Sequence, residues 1–301
     1  MTEPLLENSL RSPRSYLTVG FLSWKVLLFS VSLLSPRPGY DTSTTLLEGV
    51  GDSSLLPLIR WDAIYFTETA RRGYVFEQEW AFSWTLTRAM AFVAKYLQLV
   101  GVPPVTAPAW AGISIANASH FLAVLLLYEL SLRIFGRGPK GGSLALVTAG
   151  LHIVSPAGLF LSAPNAESPF ALFHILGILS YTESFLCRRN GAIMRSDLLL
   201  LLSGASVGVA TALRSNGLIS GFYFAYDAVL EGSQVVQGSV SLMRIRKLAV
   251  IVISGFLVAL GFVLPQIVAY QEYCGSKSLE QRPWCSAMPP SIYTFVQEHY
   301  W

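Results

Sequence analysis

Asp197 to Leu230 reads DLLLLLSGASVGVATALRSNGLISGFYFAYDAVL. The run is too long for one bilayer crossing, which takes roughly 20 apolar residues. Arg214-Ser215-Asn216-Gly217 interrupts it, so it divides into two spans that meet at a polar break. Everything else about the topology turns on this division, because one span more or fewer moves every later loop to the opposite side of the membrane.

Working outward, apolar runs of spanning length recur at about 110–132, 143–161, 168–186 and 248–270. An earlier run, Tyr16–Ser35, follows Arg11 and Arg14. It is longer than the 7–15 residues of a signal-peptide core, and Ser35-Pro36-Arg37-Pro38 is a poor cleavage site, so it reads as an uncleaved anchor. Lys25 near its middle is expected to face other helices or to snorkel. Only 13% of the 301 residues are charged against 52% hydrophobic. Soluble domains carry about 25% charged residues, so the fold class expected is an all-α polytopic membrane protein. A net charge of +3 is too small and too scattered to imply nucleic acid.

The distribution of that charge is more informative. Basic clusters stand at Arg11/Arg14, Arg133/Arg137/Lys140, Arg188/Arg189/Arg195 and Arg244/Arg246/Lys247. All four fall on one side if residues 84–100 do not cross and 197–230 cross twice. The positive-inside rule makes that side the cytosol. The domains expected are a cytosolic tail at 1–15, a multi-spanning unit at 16–270 and a non-cytosolic segment at 271–301. A large first loop, 36–109, lies on the non-cytosolic side. With Arg88 and Lys95 seven apart, residues 84–100 suit a helix lying on the membrane.

Within the first loop, Arg60-Trp61-Asp62-Ala63 leads through Gly73-Tyr74 to Glu77-Gln78-Glu79-Trp80-Ala81-Phe82. As a helix, Ile59, Ala63, Phe66 and Ala70 make one apolar stripe, with Arg60, Thr67, Glu68 and Arg71 opposite and Asp62 at the border. Such a helix would lie in the interface and hold a carboxylate at the lipid edge. The alternative is an ordinary interfacial loop whose Trp and Tyr anchor it among headgroups.

Other motifs carry less. Gly204-Ala205-Ser206-Val207-Gly208 matches the nucleophile-elbow pattern, but it lies in an apolar helical run rather than a strand-turn-helix. Small residues four apart serve close helix packing, and Gly217 and Gly221 read the same way. His120, His152 and His174 lack a carboxylate at helical spacing and are expected to hydrogen-bond between helices. The sequon Asn117-Ala118-Ser119 falls inside a span. No Cys/His spacing suits zinc. Glu167 and Arg214 are costly placements; Arg214 needs an anion, either Glu167 or a lipid phosphate. Asp227, nearer the cytosolic side, is a weaker candidate. Cys274 and Cys285, eleven apart in one compartment, are either bridged or two free thiols.

Taken in order, these stretches resemble the PIG-V family of GPI mannosyltransferases, of GT-C type. The likeness rests on the Arg60–Phe82 stretch and on Ser155–Ala163 running into Glu167-Ser168-Pro169. It continues through Arg214-Ser215-Asn216-Gly217 and Tyr273-Cys274…Arg282-Pro283-Trp284-Cys285…Pro290-Ser291-Ile292-Tyr293, and covers about residues 16–301. The resemblance implies a GT-C-like bundle with interfacial amphipathic helices in its lumenal first loop. It implies transfer of the second, α-1,6-linked mannose from dolichyl-phosphate mannose to the GPI precursor at the lumenal face of the ER membrane. Asp62 is then the catalytic base and Arg214 the group that steadies the departing phosphate. Trp61, Glu167 and Asn216 bind substrate. Neither cofactor nor metal is expected, since the donor lipid is itself the activated species. The partners expected are the lipid-linked donor, the GPI acceptor, the ER membrane and a small membrane subunit. Where some family members have His this chain has Tyr65, so no role is carried to it. Relatives continue past Trp301 into further spans. Two other readings stand beside this one, a lipid-linked substrate transporter or flippase and a non-catalytic assembly subunit.

Overall fold

The computed structural model describes residues 12–35, 47, 56–238, 240–275 and 282–300. Arg11, most of the 1–15 tail, part of the first loop and Trp301 lie outside the described residues. Every regular element among the described residues is a helix. Five are long and apolar enough to cross a membrane: α1 (Pro13–Leu34), α4 (Ala107–Phe135), α6 (Glu167–Arg189), α7 (Ile193–Leu213) and α9 (Leu242–Tyr273). The chain is an all-α polytopic membrane protein. Shorter helices complete it: α2 (Asp62–Arg72), α3 (Trp84–Leu99), α5 (Pro139–Ile153), α8 (Gly221–Val236) and α10 (Ile292–Tyr300).

The long apolar run divides at its polar break, but of its two pieces only α7 is among the five helices of spanning length, α8 having 16 residues. α7 ends at Leu213, a 3-10 turn covers Ser215–Ser220, and α8 begins at Gly221. The run at 143–161 departs from a single span, because α5 stops at Ile153 and residues 155–163 continue as turns. Pro156 accounts for this: a proline bars its predecessor from helical geometry and donates no N–H.

α7 and α9 cross with their backbones touching. A Cβ added to Gly204 would stand 2.6 Å from Ser254 Cα, one on Gly208 2.4 Å from the Leu257 carbonyl, and one on Gly261 2.0 Å from the Gly208 carbonyl. The small-residue pair is a packing device, and Ser206 between its glycines is a buried residue of the helix. Gly217 packs against Thr211 within the break, whereas Gly221 has ordinary room.

Polar side chains inside the bundle find partners on other elements. Lys25 is buried and donates to Ser162 Oγ at 2.7 Å. His120 Nε2 lies 3.2 Å from the His152 carbonyl, and His174 Nε2 lies 2.7 Å from Ser220 Oγ. Asn117, in α4, donates to the carbonyls of Ile113 and Ser162.

Ion pairs gather the basic clusters at one end of the bundle. Glu129 near the end of α4 meets Arg14 and Arg137, and Glu183 near the end of α6 meets Arg133. Asp197 at the start of α7 is held by Arg188 and by Arg246 of α9, and Glu231 of α8 by Lys247. The opposite end carries the first loop. There α2 is buried round most of its circumference, through Ala63, Ile64, Phe66, Thr67, Thr69 and Ala70. Expected as a helix with one wet face, it is instead a wedge, because residues 74–84 fold over it: Phe82 stacks on Tyr65 at 4.2 Å and meets Phe66 edge-on at 5.6 Å. Ile59 precedes the helix and packs in a different cluster, against Leu58, Ile64 and Ile113. α3 buries Leu86, Met90 and Ala94 against the bundle.

Gly208→Val drives a side chain into backbone that has no rotamer to yield. Overpacking of this kind costs about 1–3 kcal/mol or more. The variant should unfold at a clearly lower temperature in detergent and accumulate poorly. Gly150→Ala, in open space, should leave both unchanged.

Candidate functional site

Five segments converge at the end of the bundle opposite the basic clusters, around a cavity of about 360 Å³. α2 contributes Asp62 and Phe66, and the turn before α3 contributes Trp80 to Ser83. The start of α6 brings Glu167, the α7–α8 break brings Arg214, Ser215 and Asn216, and α10 brings Tyr293, Val296 and Gln297.

Each charge sits where a helix end favours it. Asp62 and Glu167 occupy the first turns of α2 and α6, next to unpaired backbone N–H groups and the positive end of the dipole. Arg214 follows the last turn of α7 in extended geometry, at the negative end. Arg214 and Glu167 form an ion pair. Of the two anions open to Arg214, the protein supplies the carboxylate. Both side chains keep contact with solvent, so the pair fixes geometry more than it stabilises the fold.

Asp62 stays apart from that pair. Among the described residues its carboxylate has no hydrogen-bond partner. Although the residue is exposed at the cavity rim, burial of its carboxyl pushes the pKa above the usual carboxylate value, while the charge of Arg214 pulls it down. The result is an unpartnered carboxylate beside a cation, suited to accept a proton from a bound hydroxyl. Trp61, just before it, has φ +57. A bulky residue in the left-handed region costs roughly 1–3 kcal/mol and persists where surrounding structure imposes it, often at functional sites.

The walls are held from a distance. Glu79 is buried, pairs with Arg72 and accepts the Val75 and Phe76 N–H groups at 2.8 and 3.1 Å, which closes the turn after α2. Glu77 accepts the Trp284 indole N–H at 2.8 Å across 207 residues. Ser291 Oγ donates to Gln266 Oε1 at 2.6 Å. A disulfide joins Cys274 to Cys285, with Cα atoms 5.6 Å apart. Ile292 and Val296 are buried against Trp80 and Trp284, and each such side chain is worth about 1.5–3 kcal/mol. Ser83 caps α3 and donates to the Ala212 carbonyl at 3.0 Å, tying the first loop to the end of α7.

The structure thus brings Asp62, Glu167, Arg214 and Asn216 to one cavity. Trp61 lines a neighbouring one instead, and Cys274 and Cys285 buttress the wall without lining it. Tyr293 and Gln297 were given no role from sequence. Burial raises the Tyr293 phenol to about 12, so it remains a hydrogen-bond donor at neutral pH. The stretch Pro290-Ser291-Ile292-Tyr293 was the available signal, but nothing local to it points to Asp62. Among the described residues no group of three His, Cys, Asp or Glu side chains is arranged to hold a metal.

Residues 15–301 match the family described as Mannosyltransferase (PIG-V). Curated relatives called GPI mannosyltransferase 2 include one from Aspergillus oryzae, 39% identical over 96% of this chain and 66% of its own length. Another, from Aspergillus fumigatus, is 41% identical over 97% and 62%, and one from Yarrowia lipolytica 34% over 95% and 68%. The chain therefore spans about two-thirds of the length of the curated relatives it matches. No solved structure matches it. On a match that runs nearly from end to end, the chain belongs to the PIG-V mannosyltransferase family.

Proposed function

We propose that this chain forms the catalytic part of a GPI-anchor mannosyltransferase. It takes mannose from dolichyl-phosphate mannose and places it in α-1,6 linkage on the GPI precursor, on the lumenal side of the ER membrane. The observation that carries the reading is Asp62, a carboxylate without a hydrogen-bond partner among the described residues, at the rim of a polar cavity in a chain whose curated relatives are named GPI mannosyltransferase 2. The positive-inside rule supports the orientation, since the ion-paired basic clusters lie at the other end.

In the step proposed, an acceptor hydroxyl oxygen attacks the anomeric carbon of the donor mannose. The bond from that carbon to the phosphate oxygen breaks and its electron pair leaves with dolichyl phosphate. The hydroxyl proton passes to Asp62. A single displacement of this kind inverts the anomeric centre. With Arg214 held in place by Glu167, the cavity offers an acceptor sugar a set of fixed polar groups, with Asn216, Tyr293 and Gln297 completing it. Arg214 acts on Asp62 through space: its charge holds the carboxyl ionised against the effect of burial. This departs from the leaving-group role that sequence gave it.

Two outcomes are expected. Asp62→Asn should abolish mannose transfer to a one-mannose GPI acceptor, with membrane accumulation and thermal unfolding unchanged; full activity would remove Asp62 as the base. The base works deprotonated and burial raises its pKa, so activity should fall off on the acid side at a pH above the ordinary carboxylate range. Arg214→Gln withdraws the opposing charge and should move that acid limb further up in pH as well as lowering the rate. A limb that stays in place would detach Arg214 from Asp62.

A further inference from the structure

Among the described residues, the charged side chains lining the cavity of about 360 Å³ are two carboxylates, Asp62 and Glu167, and a single cation, Arg214. A guanidinium between two carboxylates can pair with either. A charge-assisted pair with Asp62 would occupy the oxygens that a substrate hydroxyl has to reach. Which carboxylate takes Arg214 therefore decides whether Asp62 is open.

The register of one helical hairpin settles the competition. α6 and α7 are joined by the short turn at 190–192 and run antiparallel. Arg188 pairs with Asp197, Ser184 Oγ lies 3.2 Å from Ser196 Oγ, and Ser203 Oγ donates to the Gly177 carbonyl at 2.8 Å. A Cβ added to Gly177 would stand 2.6 Å from Val207 Cγ2, so the helices touch midway along their length. Continued in the same order, this alignment sets Glu167, the first residue of α6, opposite Arg214, which follows the last residue of α7. The ion pair forms there. Asp62 belongs to no part of the hairpin. It arrives from the first loop, and among the described residues no hydrogen bond holds its carboxylate.

We propose that Glu167 is a positioning residue: by holding the Arg214 guanidinium, it keeps that cation from pairing with Asp62 and leaves the carboxylate open to a substrate hydroxyl. The proposal rests on the transferase reading in one respect, that Asp62 takes the proton. Glu167 then acts through Arg214 and not on substrate, in place of the binding role that the resemblance implies for it. With Glu167 lost, Asp62 is the one other carboxylate lining the cavity that Arg214 can turn to. The remaining titratable or charged groups that share a cavity with Asp62 are Tyr293 of α10, raised to about 12 by burial and so neutral, and Arg60 before α2. Arg214 is the one whose charge acts on the Asp62 carboxyl.

The 301-residue chain in lipid nanodiscs gives two readouts. One is the pH profile of mannose transfer. The other, independent of turnover, is the pH midpoint of the protonated-carboxyl infrared band that Asp62→Asn deletes. Glu167→Gln keeps the shape of the side chain and removes its charge. Arg214 then pairs with Asp62, so the acid limb and the midpoint both move down by about one to three pH units, the range for a direct opposite charge. Transfer falls about tenfold to a hundredfold, because part of the general-base contribution is lost. The direction is opposite to that of Arg214→Gln. Glu167→Asp retains a carboxylate and recovers part of the rate. In the double variant Glu167→Gln/Arg214→Gln the cation is gone, and the midpoint returns upward to where Arg214→Gln alone puts it. Thermal unfolding checks the fold of each, and Glu167→Ser reads the same midpoint should Glu167→Gln accumulate poorly. A midpoint that stays in place or rises when Glu167 loses its charge overturns the proposal, whatever happens to the rate, and leaves Asp62 as the base. A midpoint that falls while Asp62→Asn still transfers mannose at full rate upholds the hold of Glu167 on Arg214 and sinks the base assignment instead.

Discussion

A helix that breaks inside a membrane protein exposes carbonyls and N–H groups that lipid cannot satisfy, so the break has to be enclosed by protein. The architecture of the site end follows from how the gap between α7 and α8 is closed. Ser83 from the first loop takes the Ala212 carbonyl, the Gly217 N–H turns back to the Arg214 carbonyl at 2.9 Å, and Gly217 lies flush against Thr211. The charge of Arg214 is met by Glu167 from the next helix over. Closing the break therefore brings α2, α3, α6 and α7 to one point, and the polar cavity is what remains between them.

The glycine crossing of α7 and α9 serves the same end. With backbone against backbone at Gly208 and Gly261, α9 is fixed relative to the break. The far end of α9 carries Cys274, whose disulfide with Cys285 turns the chain back so that α10 lies over the first loop. Glu77 and Trp284 then lock two segments more than two hundred residues apart. The acidic residues around Trp80 share the first loop with Asp62, but their carboxylates are occupied: Glu77 by an indole, Glu79 by Arg72 and two backbone N–H groups. Asp62 has no such partner among the described residues, which is why the proposed mechanism gives it the proton.

Much of this was legible along the chain. Apolar runs and a polar interruption reveal spans because bilayer thickness fixes their length, and spaced basic clusters reveal sidedness because loop charge biases insertion. The Gly204–Gly208 spacing gave away a close crossing for the same local reason. What sequence missed depended on contacts between distant segments. Thr67 reads as solvent-facing on a helical wheel and is buried. From sequence Arg214 was open to a carboxylate or to a lipid phosphate, and only the fold gives it Glu167. Tyr293 and Gln297 come to line a cavity with Asp62 only once α10 is laid across the loop.

Electrostatics ties these particulars together. Arg214 is braced by Glu167 and stays near Asp62, so the two opposing pulls on that carboxyl, burial upward and the neighbouring cation downward, are both set by the fold. On the transferase reading proposed above, a base held in this way takes its charge state from the protein and not from a bound substrate.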